Sequence, residues 1–81
     1  MDADVSLDCA GLKCPMPVLR AAKALRGMQD GQVLEVMVTD KVAPKDFQTF
    51  CREGGHALLA TEVLGDTPHG QLVRLRIRRG G

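Results

Sequence analysis

Cys14 is the residue of this chain whose surroundings most clearly suggest chemistry. It follows Lys13 and precedes Pro15, Met16 and Pro17, directly before a stretch with helical periodicity. A cysteine reacts as its thiolate, and a helix N-terminus beside a cation lowers the pKa of a thiol from its free value of about 8.5. Lys13 supplies that cation. The sequence therefore predicts a reactive thiol of lowered pKa at the entrance of a helix.

The residues next to Cys14 suit that position. Pro15 fits the first helical position because its φ already matches the helix and its missing N–H is not needed there. Pro17 removes a second donor of the first turn, so the amides of Met16 and Val18 are expected to face an anion at Cys14. The residues expected to support the thiolate are Lys13, Pro15, Met16 and Pro17.

The other two cysteines are predicted to fill the core. Cys9 shares the inner face of an alternating strand with Val5 and Leu7, although a role as a resolving thiol stays open. Cys51 falls on the inner stripe of a second helix. Three cysteines, an odd number, argue against a disulfide framework, and they form no zinc-site spacing with a histidine. We find no metal, nucleotide or general-base motif, so no cofactor is expected.

Length and composition limit the possible functions. The chain has 81 residues and a formal net charge of +1, and its only aromatic residues are Phe47 and Phe50. We expect one domain over residues 1–81 with a small, mainly aliphatic core. The charge provides no global field that would attract nucleic acid or an acidic membrane. No apolar run reaches the length of a membrane span and the first residues do not resemble a secretory signal, which predicts a cytosolic protein.

Hydrophobic periodicity, together with glycine and proline positions, predicts six elements. Strands are expected over residues 5–9, 32–39, 56–64 and 72–78, and helices over 15–28 and 44–53. Because each helix has one apolar stripe, this β-α-β-α-β-β order predicts an α+β fold, a two-layer α/β sandwich in which two helices cover one face of a four-stranded mixed sheet. The stripes are Val18, Leu19, Ala22, Leu25 and Met28 in the first helix and Phe47, Phe50 and Cys51 in the second.

Two groups of basic residues are predicted at the surface. Arg20, Lys23 and Arg26 fall outside the apolar stripe of the first helix. They form either a solvated face or, beside a reactive thiol, a docking surface for an acidic partner protein. The second group covers the outward side of the last strand, as charge commonly does on an exposed sheet face. It consists of Arg74, Arg76, Arg78 and Arg79.

Over nearly its whole length the chain resembles the TusA family of sulfur-carrier proteins, also called SirA-like. The resemblance rests on the signature Cys14-Pro15-Met16-Pro17 after one short strand and on the order of the elements. The loop of residues 40–43 lacks the proline that many relatives carry after the aspartate, a difference expected to bear on partner choice. Further matching positions are Leu7, Asp8, Gly11, Leu12, Val18, Met28, Gly31, Leu34, Asp40, Ala43, Asp46, Phe50, Cys51, Gly55, His56, Leu58 and residues 77–81.

The resemblance implies a cytosolic sulfurtransferase that accepts sulfane sulfur as a persulfide on Cys14 and passes it to another protein. In the family the donors are cysteine desulfurases or rhodanese-type proteins, and the acceptors serve tRNA thiolation or sulfur oxidation. Both branches stay open. A persulfide is more acidic than a thiol, so its anion would be favoured at a helix N-terminus. An acceptor thiolate would attack the outer sulfur and release the Cys14 thiolate, with the partner supplying most of the catalytic apparatus.

Three other functions stay open. A non-catalytic RNA-binding or regulatory module fits the basic residues, but RNA-stacking surfaces need exposed aromatics and both phenylalanines are predicted inward. A carrier with a thiocarboxylate on Gly81 fits the terminal Gly80-Gly81, although such carriers resemble a β-grasp that opens with a hairpin. A thiol redox pair of Cys9 and Cys14 is the third.

Gly80 and Gly81 lie beyond the last predicted strand. Removing these two glycines is therefore expected to cost little stability.

Overall fold

The computed structural model, which describes residues 3–80, has the predicted order of elements, β-α-β-α-β-β. The first strand has the predicted bounds, and the other elements differ from the prediction by one to three residues at their ends. The elements are β1 (Val5–Cys9), α1 (Met16–Arg26), β2 (Val33–Val38), α2 (Ala43–Gly54), β3 (Ala57–Thr67) and β4 (Gly70–Arg78).

The four strands form one mixed sheet in the order β1-β2-β4-β3. β1 and β2 run parallel and are joined by α1, as a parallel pair requires a crossover connection. The β2–β4 and β3–β4 pairs are antiparallel. Because β1 and β2 are parallel, their carboxyl ends lie at the same edge of the sheet, and the N-termini of α1 and α2 both start from that edge.

The core lies between the sheet and the two helices, which confirms the predicted two-layer arrangement. Phe47 of α2 is fully buried and is the largest side chain there, together with Leu34 and Leu75 from the sheet. In β4 the predicted alternation is confirmed, since Val73, Leu75 and Ile77 are buried while the residues between them face the opposite side. The core is therefore aliphatic around one central aromatic ring.

The inner stripe of α1 agrees with the prediction at Leu25 and at Met28 just after the helix, which are buried, and differs from it at the start of the helix. Pro17, Ala21 and Leu25 are buried, whereas Leu19, predicted to face inward, is 55% exposed. One residue of a helix corresponds to about 100° of rotation, so a small error in phase exchanges inward and outward positions. The observed row uses the small side chains of Pro17 and Ala21, which allow the start of α1 to lie close to the sheet.

The hairpin of β3 and β4 is longer than predicted. Both strands continue through the residues expected to form a six-residue turn, and the connection consists of Pro68 and His69 alone. Thr67 closes it, because its hydroxyl donates to the carbonyl of Gly70 at 2.7 Å and accepts from the amide of His69 at 3.1 Å. Gly65, with φ of 145°, lies at a shift in the strand register, so the predicted turn signal is a bulge inside a strand.

Three of the four arginines in the second basic group, on and just after β4, are paired with acidic residues. Arg74 and Arg76 both lie 3.6 Å from the carboxylate of Glu35 on the face of the sheet that carries no helix. Arg79 pairs with Asp30 and also donates to the carbonyl of Leu25 at 2.7 Å. Only part of this group is therefore available as a basic surface.

Gly80 is packed against the turn that follows α2. The amide of Gly80 donates to Nδ1 of His56 at 3.0 Å, and a Cβ atom on Gly80 would overlap the carbonyl oxygen of Gly55. The expectation that the terminal glycines contribute little to stability therefore changes for Gly80. Gly81 lies outside the described residues.

We expect Gly80→Ala to lower the free energy of unfolding by about 1–3 kcal/mol, because the new methyl group and the Gly55 carbonyl cannot occupy the same space. Urea unfolding measures the change. Gly27→Ala is the matched control, since a Cβ there would meet the nearest oxygen at 3.7 Å, an ordinary contact. Equal unfolding midpoints for the two variants would contradict the packing of Gly80.

Candidate functional site

Cys14 lies in the loop between β1 and α1, at the sheet edge where both helices begin. The helix starts at Met16, with Pro15 as its N-cap residue, and the peptide bond between Cys14 and Pro15 is cis. Cys14 is exposed, whereas Cys9 is 0% and Cys51 2% exposed. Cys14 is thus the cysteine whose sulfur an outside molecule can reach.

Asp40 connects the Cys14 loop to the loop between β2 and α2. Its carboxylate accepts from the amide of Cys14 at 2.8 Å and from the amide of Val42 at 3.2 Å. These two hydrogen bonds, with a smaller contribution from Lys13, lower the pKa of Asp40. The arrangement fixes the backbone of Cys14 relative to the start of α2.

Asp46, in the first turn of α2, contacts the sulfur itself. The Cys14 thiol donates a hydrogen bond to Oδ2 of Asp46 at 2.9 Å. This bond raises the pKa of Cys14, and partial desolvation and the negative charges of Asp46 and Asp40 raise it further. The prediction of a lowered pKa is therefore wrong for the free protein, because two carboxylates from distant parts of the sequence face the thiol.

The four residues expected to support the thiolate have other contacts. The amide of Met16 donates to the carbonyl of Lys13 at 2.8 Å, so it does not face an anion at Cys14. Pro15 caps the helix rather than occupying its first position, and Pro17 is buried in the core. Lys13 is exposed and its charge acts on Asp40. These contacts fix the conformation of the loop that carries Cys14, and they do not place a hydrogen-bond donor or a cation against the sulfur.

An open groove lies between the start of α1 and the length of α2 from Asp46 to Glu53, and Cys14 is part of its lining. Its volume is about 310 Å³. One side is apolar and the other carries the carboxylates of Asp46 and Glu53, so a group that approaches the sulfur meets both kinds of surface. The lining residues are Cys14, Pro15, Val18, Asp46, Thr49, Phe50 and Glu53.

The predicted docking residues Arg20, Lys23 and Arg26 are all exposed on α1. They lie on the helix that follows Cys14, where a partner that reached the thiol would also meet α1. Docking through these residues stays a prediction.

The burial of Cys9 and Cys51 agrees with their predicted place in the core. Burial raises the pKa of both thiols, which keeps them neutral and poorly reactive. Among residues 3–80, no group of three or more histidine, cysteine and acidic side chains is placed to hold a metal ion.

Residues 5–79 match the family model described as Sulfurtransferase TusA. The chain belongs to the TusA family. The Allochromatium vinosum sulfur carrier protein TusA is 44% identical over 68 residues, which are 84% of this chain and 90% of that protein. The Bacillus subtilis protein YrkI is 40% identical over 80 residues, 99% of this chain and 100% of that one.

A solved structure supports the same assignment. The SirA-like protein of Desulfitobacterium hafniense superposes with a TM-score of 0.71 at 27% identity, covering 95% of this chain and 99% of that chain. This TusA-family chain is therefore a sulfur carrier in a sulfur relay, and it exchanges sulfur with donor and acceptor proteins. Among the described residues, no helix has the length and apolar character needed to cross a membrane.

The structure of this TusA-family chain argues against each of the three alternative functions. Phe47 is fully buried, and half-buried Phe50 packs edge-on against it with ring centroids 6.3 Å apart, so the two rings belong to the core or its edge, which argues against an RNA-stacking surface built from them. β1 leads directly to α1, unlike the hairpin expected of a thiocarboxylate carrier. Cys9 is buried, which argues against a redox pair with Cys14.

Sequence reasoning gave Asp40 and Asp46 no chemical role, although both were among the positions that match the family pattern. The sequence did contain information that could have identified both aspartates. Both residues lie at the start of the second α/β unit, and parallel pairing of the first two predicted strands would bring that start next to Cys14. The missing step was to combine the predicted topology with the charges at the ends of the strands.

Proposed function

We propose that this chain carries sulfur as a persulfide on Cys14. The observation that supports this most directly is exposure, since Cys14 is the exposed one of the three cysteines and lines an open groove. A sulfur atom added there would have room beside the apolar side of the groove. The other two thiols lie in the core, where a protein partner cannot reach them.

The transfer conserves atoms and electrons. The Cys14 sulfur attacks the outer sulfur of a donor persulfide, a new S–S bond forms, and the donor S–S bond breaks with its electron pair on the donor's inner sulfur. The Cys14 thiol proton passes to the donor thiolate through the surroundings. In the second half, an acceptor thiolate attacks the outer sulfur of the Cys14 persulfide and Cys14 leaves as a thiolate. No external oxidant or reductant is consumed.

The family resemblance supports the finer parts of the proposal. The donor is a cysteine desulfurase or a rhodanese-type protein, and the acceptor belongs to tRNA thiolation or to sulfur oxidation. The protein acts as a sulfurtransferase in the cytosol, as one domain over residues 1–81. Partners supply most of the catalytic apparatus, because the surroundings of Cys14 hold its thiol neutral rather than activating it.

Intact mass spectrometry after incubation with cysteine and a panel of cysteine desulfurases tests the proposal. We expect the mass to increase by one sulfur atom, and peptide mapping to place that atom on Cys14. A second incubation with a rhodanese-type donor and thiosulfate covers the other donor class. A protein that gains no sulfur from either donor class, or gains it only at another residue, would contradict the persulfide site.

Charge reversal on α1 tests the docking surface. We expect the double variant R20E/K23E to slow sulfur transfer from the donor by about fivefold at low salt and less at high salt, because exposed charges steer encounter and are screened by ions. The control R52E/R78E reverses two exposed charges on other elements. Rates should be measured by quenched-flow or timed mass spectrometry. Equal slowing in both variants would indicate a general charge effect and contradict docking through α1.

A further inference from the structure

The hydrogen bond between Cys14 and Asp46 joins residues 32 positions apart in the sequence. Asp46 is half-buried in the first turn of α2, and Cys14 is exposed at the start of α1. The bond therefore depends on the packing of two helices on one sheet. Its sulfur–oxygen distance of 2.9 Å makes it the direct polar contact of the thiol in the free protein.

The other charged groups near the thiol do not replace this contact. Asp40 binds the backbone amide of Cys14 and adds negative charge. Glu53 lines the same groove without a hydrogen bond to the sulfur. Lys13 is exposed and acts on Asp40. The thiol thus feels the negative charges of Asp40 and Asp46, of which Asp46 alone accepts its hydrogen.

A carrier that gave its thiolate freely to solvent would react with small oxidants and electrophiles before it met a donor. A neutral thiol reacts much more slowly, since the thiolate is the nucleophile. A partner group that entered the groove would meet Asp46, which lines it, and would compete with Cys14 for the hydrogen bond. The geometry thus supports a resting state and a docked state of different reactivity.

We propose that Asp46 is a positioning residue that holds Cys14 as a neutral thiol in the free carrier, so that the thiolate forms only when a partner occupies the groove. This inference rests on the proposed function of Cys14. It adds a role for Asp46 that the family assignment does not contain. The role is protective in the free protein and requires no covalent step.

The pH dependence of Cys14 alkylation tests the role of Asp46. We expect Asp46→Asn to alkylate with iodoacetamide about threefold faster or more at pH 7, with the midpoint of the rate profile at lower pH, because the negative charge beside the sulfur is lost. Glu53→Gln removes the same charge from the same groove without touching the bond, and its rate should stay within about twofold of the wild type. Peptide mapping assigns the rate to each cysteine.

Cys51 serves as the internal reference for folding. A variant that reacted faster only because it had unfolded would also expose Cys51, so Cys51 must stay unreactive in Asp46→Asn. A profile of Asp46→Asn equal to that of the wild type would overturn the inference, and so would equal acceleration in Glu53→Gln.

The test separates this inference from the proposed function because alkylation requires no sulfur donor. If wild-type Cys14 loads sulfur but Asp46→Asn leaves the pH profile of alkylation unchanged, only the role of Asp46 is refuted. A shifted profile in a protein that never loads sulfur would refute the persulfide site alone.

Discussion

Cys14→Ser is expected to leave the protein folded and unable to gain sulfur. A serine oxygen cannot accept a sulfane sulfur, so loading should fall below detection rather than decrease by a fraction. The side chain is exposed, and a serine hydroxyl can still donate to Asp46, so stability should change by no more than about 0.5 kcal/mol. Intact mass after incubation with a desulfurase and cysteine, together with urea unfolding, measures both quantities.

Two variants make the loading result specific to Cys14. Cys9→Ala and Cys51→Ala each remove a buried thiol and should keep full loading, although each is expected to lose about 1–2 kcal/mol of stability through the cavity left in the core. Sulfur on Cys14→Ser protein at any other residue would overturn the assignment. Loss of loading in Cys9→Ala with an intact fold would instead favour the redox pair.

Phe47→Ala is expected to have the largest effect on stability. Phe47 is fully buried between α2 and the sheet, and truncation of a buried phenylalanine costs about 3–5 kcal/mol. A chain of 81 residues has a total stability of roughly 4–12 kcal/mol, so one substitution would remove a large part of it. Urea unfolding followed by circular dichroism should show a much lower midpoint or a population that is unfolded without denaturant.

Phe50→Ala is the matched control for Phe47→Ala. Phe50 is half-buried, and it packs against Phe47 and against His56, whose ring centroid is 5.6 Å away. Its truncation should cost about half as much, because less of the ring leaves water on folding. Equal costs for the two variants would contradict the central position of Phe47.

Much of the fold could be predicted because local patterns report local structure. The alternation of Val73, Leu75 and Ile77 predicted β4, and the glycine pair after Glu53 predicted the end of α2 close to its observed position. The burial of Cys51 followed from the same periodicity. In α1 and just after it the burial of Leu25 and Met28 was predicted correctly, but Leu19 was placed inward although it is exposed, and the buried Pro17 and Ala21 were missed.

The sequence by itself determined that Cys14 lies directly before a helix and that the chain has the family signature. Only the tertiary structure decided the electrostatic state of the thiol. The helix entrance and Lys13 are local features, and they predict a lowered pKa. Asp40 reaches the backbone amide of Cys14 from 26 positions away and Asp46 reaches its thiol from 32, because parallel pairing of β1 and β2 brings two helix starts together. Coulombic interactions depend on distance in space, so the pKa of Cys14 is raised by carboxylates that its neighbours in the sequence do not reveal.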